Sequence, residues 1–494
     1  MKFLFKLCLI ILLNLALADT ARAEIVDITL LQLNDIYEIA PVSGGKIGGL
    51  ARIASLRQKL SSEHPHTFTI LAGDLLSPSA LGTAKIDGEA IAGAQMISVM
   101  NAVGLDFATF GNHEFDLTKE QFYQRLAESQ FTWLSRNVFD EFRRPFPNVP
   151  SSIILPVKGA EDATIKVGLI GVTIDSNQTD YVTYKDAIAS MKQEVDKIKD
   201  QTDIIIAVTH LALAQDQKLA ATIPEIDIIL GGHEHENIQQ WRGSDFTPIF
   251  KADSNDRTVY IHQLSYDTET KNLEITSHLQ PITNQIPEQP KVKALVDKWL
   301  QRAFDGFRRH DFKPEQVVTI SPEPLDGLEV NVRNHATNLT DLLTQGMLAA
   351  TNREAELAIV NAGAIQIDDL LSAGKVTQYD VLRIMPFESQ IILVEMRGSL
   401  LEKVLNQGLE NKGTGGYLQT AGVSKKQSGA SWLINNVTLN PEQTYKIAIN
   451  DFLLTGKEDG LDYLTLENPE IKFLREAEDI RFALIHQLQT FRAD

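Results

Sequence analysis

Short apolar runs, rich in β-branched residues and closed by polar ones, recur through the first 280 positions: "DITLLQL", "TFTILAG", "FATFG", "IKVGLIGV", "DIIIAVT" and "IDIILGG". Runs of that length followed by Gly, Asp or Asn predict strands. Between them lie stretches such as "GGLARIASLRQKLSSE", where apolar residues return at helical spacing. Strands alternating with helices predict a layered α/β architecture.

The pattern breaks at residues 279–290. "LQPITNQIPEQP" holds three prolines and no apolar period, which predicts a linker. A helix follows, because Val292, Leu295, Val296, Trp299, Leu300 and Ala303 recur at i, i+3, i+4, i+7 spacing. From about residue 313 a second, smaller α/β unit begins. In it "AELAIVNAG" reads as a strand running into a turn, and "GSLLEKVLNQG" as a helix with Ser399 at the N-cap and Glu402 three residues on. The expected division is a leader at 1–23, a first domain at 24–285, a linker helix at 286–312 and a second domain at 313–494.

Composition agrees with two ordinary cores. A chain of 494 residues is too long for one, and 43% hydrophobic with 22% charged residues is a globular balance. The formal charge of −19 leaves no basic surplus for bulk nucleic acid, though it permits a small phosphorylated substrate beside a bound cation. Lys2 and Lys6, the apolar run "LCLIILLNLALA" and "ARA" ending at Ala23 form a secretory leader pattern, too short for a membrane span. Cleavage after Ala23 removes Lys2, Lys6, Arg22 and Asp19, which takes the formal charge from −19 to −21. It also removes Cys8, the one cysteine, so the mature chain is expected to have no disulfide and no thiolate ligand. No apolar tail suggests a lipid anchor. The expectation is a periplasmic or secreted protein without a membrane anchor. Oligomeric state is not legible.

Candidate chemistry sits where the runs end. Asp35 closes "LND", Asp74 "AGD", Asn112 and His113 "GNHE", His210 "VTH", and His233 with His235 "GGHEH". In open α/β folds the ligand site lies beyond the carboxyl ends of the strands, so five such ends converge on one edge. Singly, a Gly-Asp is an ordinary turn and a lone histidine an ordinary structural residue; together and in this order they point to a metal site. Carboxylate, amide and imidazole donors suit Zn, Mn, Fe, Co or Ni. Two such ions about 3.5–4 Å apart clamp a phosphoryl group and activate water, and a carboxylate such as Asp74 bridges them.

This order of motifs resembles the calcineurin-like metallophosphoesterases, and among them the exported 5′-nucleotidase and UDP-sugar hydrolase family, over nearly the whole mature chain. The resemblance implies a four-layer αββα first domain and a smaller α/β domain that presents the substrate. It implies two divalent or mixed-valence transition metal ions. Asp35, Asp74 and His235 would hold the first, and Asp74, Asn112, His210 and His233 the second. His113, paired with Asp116, would touch the phosphoryl oxygen or protonate the leaving group, with the carboxylate orienting the imidazole and raising its basicity. Glu114 and Glu234 receive no direct role and are expected either behind the ligands or in solvent. Asn137 matches an asparagine near the family's site, and its plainer reading is an ordinary loop asparagine. In the second domain it implies substrate contacts from Arg333 and Asn338 in "VRNHATNLTDLL", from Asn361, and from Phe387 and Phe452 sandwiching a base. The ordinary reading of those two phenylalanines is core.

The chain departs from the family in four places. Tyr37 stands where the first motif has a metal-binding histidine; it is either a phenolate ligand for a hard metal such as Fe(III) or a hydrogen-bond partner of metal-bound water. "NAGAIQ" replaces Asn-Gly-Gly-Gly-Ile-Arg, so Gln366 takes the place of a phosphate-gripping arginine, and Ala362 and Ala364 crowd positions that suit glycine. "GKEDG" is one residue longer than its counterpart, with Asp459 in the place of a ribose-binding acid. The expected activity is hydrolysis of a nucleotide phosphomonoester by a metal-bound hydroxide. The alternatives are a phosphodiesterase or non-nucleotide phosphatase, and an inactive extracellular binding protein, against which the retained His113 and Asp116 argue.

Overall fold

The computed structural model describes residues 24–426 and 431–490. The expected leader and Cys8 lie outside them.

Two six-stranded sheets form the first domain. In the first, the order is Leu273–Pro281, Thr258–Asp267, Ile25–Leu33, Thr67–Ala72, Phe107–Thr109 and Thr132–Leu134. In the second it is Ile238–Arg242, Thr247–Lys251, Ile228–Gly231, Ile204–His210, Thr164–Thr173 and Ser152–Lys158. The central strands of each are parallel. Val26, Ile28 and Leu30 join Ile70, Ile206, Val208 and Leu230 in a dry core between the sheets, while Leu31 and Leu33 face the helices outside. Burial on both faces explains why "DITLLQL" reads as a nearly unbroken apolar run. Helices Leu50–Glu63, Ala94–Val103 and Lys119–Glu128 cover the first sheet, and Ala187–Ile198 and Leu213–Thr222 the second. The four-layer αββα architecture is thus observed.

The second domain is built on a five-stranded mixed sheet, ordered Leu418–Ala421, Leu357–Asn361, Thr444–Asn450, Gln390–Arg397 and Ile471–Asp479. Helices Asn338–Ala350 and Ile480–Thr490 pack on one face and Gly398–Glu410 on the other.

Three expectations change. The stretch at 279–290 does not behave as a free linker: the edge strand runs to Pro281, where a proline is tolerated, Ile282 is fully buried, and Thr283 bridges to Ile47. The helix beyond it, Pro290–Arg308, is capped by the Gln289 side chain with Pro290 in its first turn. It packs along Leu50–Glu63 and Ala94–Val103 through Val292, Val296, Ala303 and Phe307, so it is an outer layer of the first domain. Finally, Gly398–Glu410 starts one residue before the expected cap. Ser399 lies in its first turn, and the orphan N–H groups of Gly398 and Ser399 go to the carbonyls of Gln443 and Pro441.

The domains are joined by an apolar and a polar seam. Phe304 of the helix packs on Tyr379 at 4.9 Å, and Phe312 stacks on Phe482 at 4.4 Å and 6°. Buried Arg383 reaches Glu38 and Asp369, Tyr379 Oη donates to Glu38, and Ser43 donates to Asp369.

A candidate metal centre at the domain seam

The carboxyl ends of both parallel sheets open on one edge. Asp35, Asp74 and Asn112 follow strands of the first sheet, and His210 and His233 end or follow strands of the second. Asp35, Asp74 and His233 adopt left-handed backbone conformations, with φ of 52°, 57° and 86°. Such conformations are sparsely populated by side-chain-bearing residues and persist where the surroundings fix them. Here the loops hold each other: the Asp35 N–H donates to Gly73 O, and the Ile36 N–H to Asp74 O. Glycine is needed at two contacts, since a Cβ on Gly73 would lie 2.4 Å from His210 Nδ1 and one on Gly111 2.1 Å from Asp74 Oδ1.

The side chains converge. One ligand atom each from Asp35, Asp74 and His210 lies within 4.8 Å of the others, and all three residues are buried. His210 Nε2 is 3.3 Å from Asp74 Oδ2 and 3.2 Å from Asn112 Oδ1, and its Nδ1 is 2.9 Å from the Ala72 carbonyl. His235 Nε2 is 3.8 Å from Asp35 Oδ1. The His233 N–H donates to Asp35, and its ring is 5.3 Å from that of His210. Tyr37 Oη stands among the same atoms, 3.0 Å from Asp74 Oδ2, 3.3 Å from Asp35 Oδ1 and 3.0 Å from His235 Nε2.

Carboxylates and imidazoles set one another's protonation here. Burial raises the pKa of Asp35 above the ordinary range against the pull of His210 and His235. Burial opposes ionisation of Asp74 too, but His210 and His113 outweigh it and hold it below that range. Burial would lower His210, yet Asp74 and Asp35 raise it to about 9. His233 is pushed down to about 3 by burial and by His210, which leaves a neutral imidazole. Burial and the carboxylates of Asp74 and Asp35 push the Tyr37 phenol well above 10, so it is the protonated donor here. A buried set of oxygen and nitrogen donors, without sulfur, fits divalent transition metals.

His113 lies beside this set. Its Nδ1 is 2.7 Å from Asp116 Oδ2, and its N–H donates to Asp74 Oδ1 at 2.9 Å. Burial would lower its pKa, but Asp116 and Asp74 raise it to about 9. Asp116 is fixed in turn by Ser77 Oγ at 2.9 Å and Asn177 Nδ2 at 2.7 Å. Of its two expected places, Glu114 takes the one behind the ligands. Fully buried, it accepts the backbone N–H groups of Asp74, Leu75, Leu76 and Gly111, and so shapes the turn that presents Asp74. Glu234 and Asp216 hold the buried Lys251, which donates to the Gly232 carbonyl under the histidine turn. Asn137 pins Thr173 and Lys185 by backbone hydrogen bonds, the plainer of its two readings.

The second domain reaches the centre with residues that sequence spacing did not mark. Asp368 Oδ2 is 3.0 Å and Glu329 Oε2 3.4 Å from His235 Nδ1. Arg333 pairs with Glu329 at 2.6 Å, which places it one side chain from the metal set. Asn338 is elsewhere engaged: it accepts from the Asp326 N–H and donates to Pro324 O. Phe387 and Phe452 are 44% and 40% exposed, so neither is core. Their loops are tied by Ser389 Oγ donating to Asp451 Oδ1 at 2.7 Å. Phe387 also lines a cleft of about 550 Å³ that Asp116 and Ser77 line as well. Asn361 bonds Glu458 and Asn450. Glu458, not Asp459, is the acid facing Asn361, whereas Asp459 engages Asn411 through its backbone carbonyl. The Gln366 amide donates to the Gly363 carbonyl, turned back on its own loop. Ala362 and Ala364 do not crowd the backbone as expected. Neither has positive φ, and the close approach to Gly415 is made by Gly363, which remains glycine.

Residues 28–237 match the calcineurin-like phosphoesterase family, and 317–465 match the 5′-nucleotidase C-terminal domain. Bos taurus 5′-nucleotidase is 25% identical over 92% of this chain and 87% of its own. Homo sapiens 5′-nucleotidase is 26% identical over 80% and 75%. Among solved structures, the 5′-nucleotidase precursor from Thermus thermophilus superposes with a TM-score of 0.77 at 22% identity, covering 94% of this chain and 96% of that one. The sulfate thiohydrolase SoxB of the same organism shares the fold at a TM-score of 0.68 and 16% identity, over 94% of each chain.

Proposed function

The chain belongs to the calcineurin-like phosphoesterases that carry a 5′-nucleotidase C-terminal domain, and on that premise we propose an exported, metal-dependent hydrolase of nucleotide phosphomonoesters. The observation that carries the reading is the meeting of Asp35, Asp74 and His210 within 4.8 Å beside the His113–Asp116 pair. Asp35, Asp74 and His235 would hold one ion, and Asp74, Asn112, His210 and His233 a second, from among Zn, Mn, Co, Ni and Fe. When bound, the ions supply charge for a transferring phosphoryl group and acidify water.

The chain's own residues do the rest. Asp74 turns Oδ2 toward His210 and Tyr37 while Oδ1 is steadied by the His113 N–H, and would be shared between the two ions. Asp116 orients His113 so that Nε2 can hold a proton for a phosphoryl or leaving-group oxygen. The exposed rings of Phe387 and Phe452, on loops tied together, offer faces on which a base can stack, a contact worth about 1–3 kcal/mol in nucleic-acid binders. The leader pattern supports export, and no helix among the described residues is long and apolar enough to cross a membrane.

One observation favours a second reading, a phosphoesterase for other substrates. Gln366 is folded onto Gly363 and supplies no cationic grip. A panel of AMP, simple phosphomonoesters, diesters and sugar phosphates, run with each metal, decides between them. Preference for AMP by tenfold or more over simple monoesters supports the nucleotidase; equal rates, or preference for diesters, support the second reading. No turnover with any metal overturns both in favour of a binding protein.

A further inference from the structure

His235 is held differently from the other candidate ligands. Its Nδ1 faces Asp368 Oδ2 at 3.0 Å, across the seam between the domains. An ionised carboxylate only accepts, so Nδ1 keeps a proton in this contact and Nε2 is the nitrogen free to give up its own to a metal. Nε2 is the atom that faces Tyr37 Oη at 3.0 Å and Asp35 Oδ1 at 3.8 Å. Asp368 is itself fixed. Ser254 Oγ donates to the same Oδ2 at 2.8 Å, the Glu329 N–H donates to Oδ1 at 2.9 Å, and its backbone sits at φ 36°. The Ser254 N–H closes the circle on the His235 carbonyl.

We propose that Asp368 is a positioning residue for metal binding: the second domain sets the tautomer and orientation of His235, and so makes one metal position depend on how the domains dock. This rests on the reading of His235 as a ligand. His210 shows the contrast, because its Nδ1 is satisfied by the Ala72 carbonyl of its own domain. A carboxylate behind a ligating imidazole raises its basicity, and loss of such a partner typically costs 10- to 100-fold in affinity.

The test is a calorimetric titration of the metal-stripped full chain with Mn²⁺ and with Co²⁺, comparing wild type, Asp368→Ala, Asp368→Asn and Ser43→Ala. Ser43→Ala cuts another bond across the seam, to Asp369, without touching His235. In the wild type two equivalents are expected. In Asp368→Ala one equivalent should weaken about 10- to 100-fold and the other hold its affinity, with a matching change in the visible spectrum of bound Co²⁺. Ser43→Ala should bind as wild type does. Should Asp368→Ala not fold, the isosteric Asp368→Asn carries the same selective expectation with a smaller drop. Unchanged binding in the Asp368 variants, or equal weakening of both equivalents, overturns the proposal. A wild type that takes up no metal overturns the reading of the site itself, and this proposal with it.

Discussion

The two sides of the candidate centre are built on different foundations. Around His210, every support is local to the first domain: the Ala72 carbonyl behind the imidazole, Asn112 and Asp74 in front, and Glu114 beneath the Asp74 turn. Around His235, the supports come from the second domain and from a loop at the seam: Asp368, Glu329 and Ser254. Tyr37 falls on the His235 side, and Gln366 lies two residues before Asp368. The half built on strand ends is held within one domain. The half that depends on domain docking carries both residues that the sequence sets apart from the family it resembles.

The comparison breaks most sharply if the His210 side is dispensable. Asn112→Ala is expected to lower kcat/KM by roughly 10³-fold, since metal-supplied stabilisation is several kcal/mol and each ~1.4 kcal/mol is tenfold. Steady-state rates alongside a thermal melt check this; near-normal turnover in a folded variant removes the residue from the site. Tyr37→Phe probes the other side, and there the expected loss is about tenfold in the affinity of one metal equivalent only. In an iron-loaded sample, a visible charge-transfer band that disappears in Tyr37→Phe makes the phenol a ligand. A band that survives leaves it as a hydrogen-bond donor to Asp74. Glu114→Gln is a milder test of the His210 side. An amide set among four backbone donors should cost about 1–3 kcal/mol of stability, read by denaturant titration, whereas a neutral result would mean that the Asp74 turn stands without it.

What the sequence disclosed follows the same division. Strand ends are local events, and a run such as "TFTILAGD" contains the strand, the glycine that permits close approach and the acid it presents. The sheets, the convergence of the strand-end acids and histidines and the His113–Asp116 pair were therefore legible. Asp368 was not, because in "IQIDDLLS" nothing local distinguishes an acid that crosses to the other domain from one in solvent. Glu114 received no definite role for a related reason: three of its four partners are backbone N–H groups 38 to 40 residues away, which leave no side-chain pattern. The capping of Gly398–Glu410 was misplaced because carbonyls from 441 and 443 do the work that Ser399 was expected to do.

The seam loop that carries Ser254 also carries the finest test, one of pH. Asn255 N–H donates to the Asp35 carbonyl and Ser254 to Asp368, so residues 254–256 join the two halves. Asp256 is buried there; its Oδ1 accepts from the Gly49 N–H, and its Oδ2 has no hydrogen-bond partner. Burial, only partly offset by the Gly49 N–H and the nearby Arg52, raises its pKa from 3.8 to about 8. In the native state it therefore keeps a proton that the unfolded chain has released. Between these values the folded form binds more protons, so stability falls as pH rises, at up to ~1.4 kcal/mol per unit, and levels off above about 8. Asp256→Asn retains an acceptor for Gly49 and has nothing to ionise. Its melting temperature should vary less between pH 5 and pH 8 than that of the wild type, with the gain largest at the alkaline end. If the two proteins keep parallel pH profiles, Asp256 is ionised in the fold, and the loop that joins the halves tolerates a buried charge.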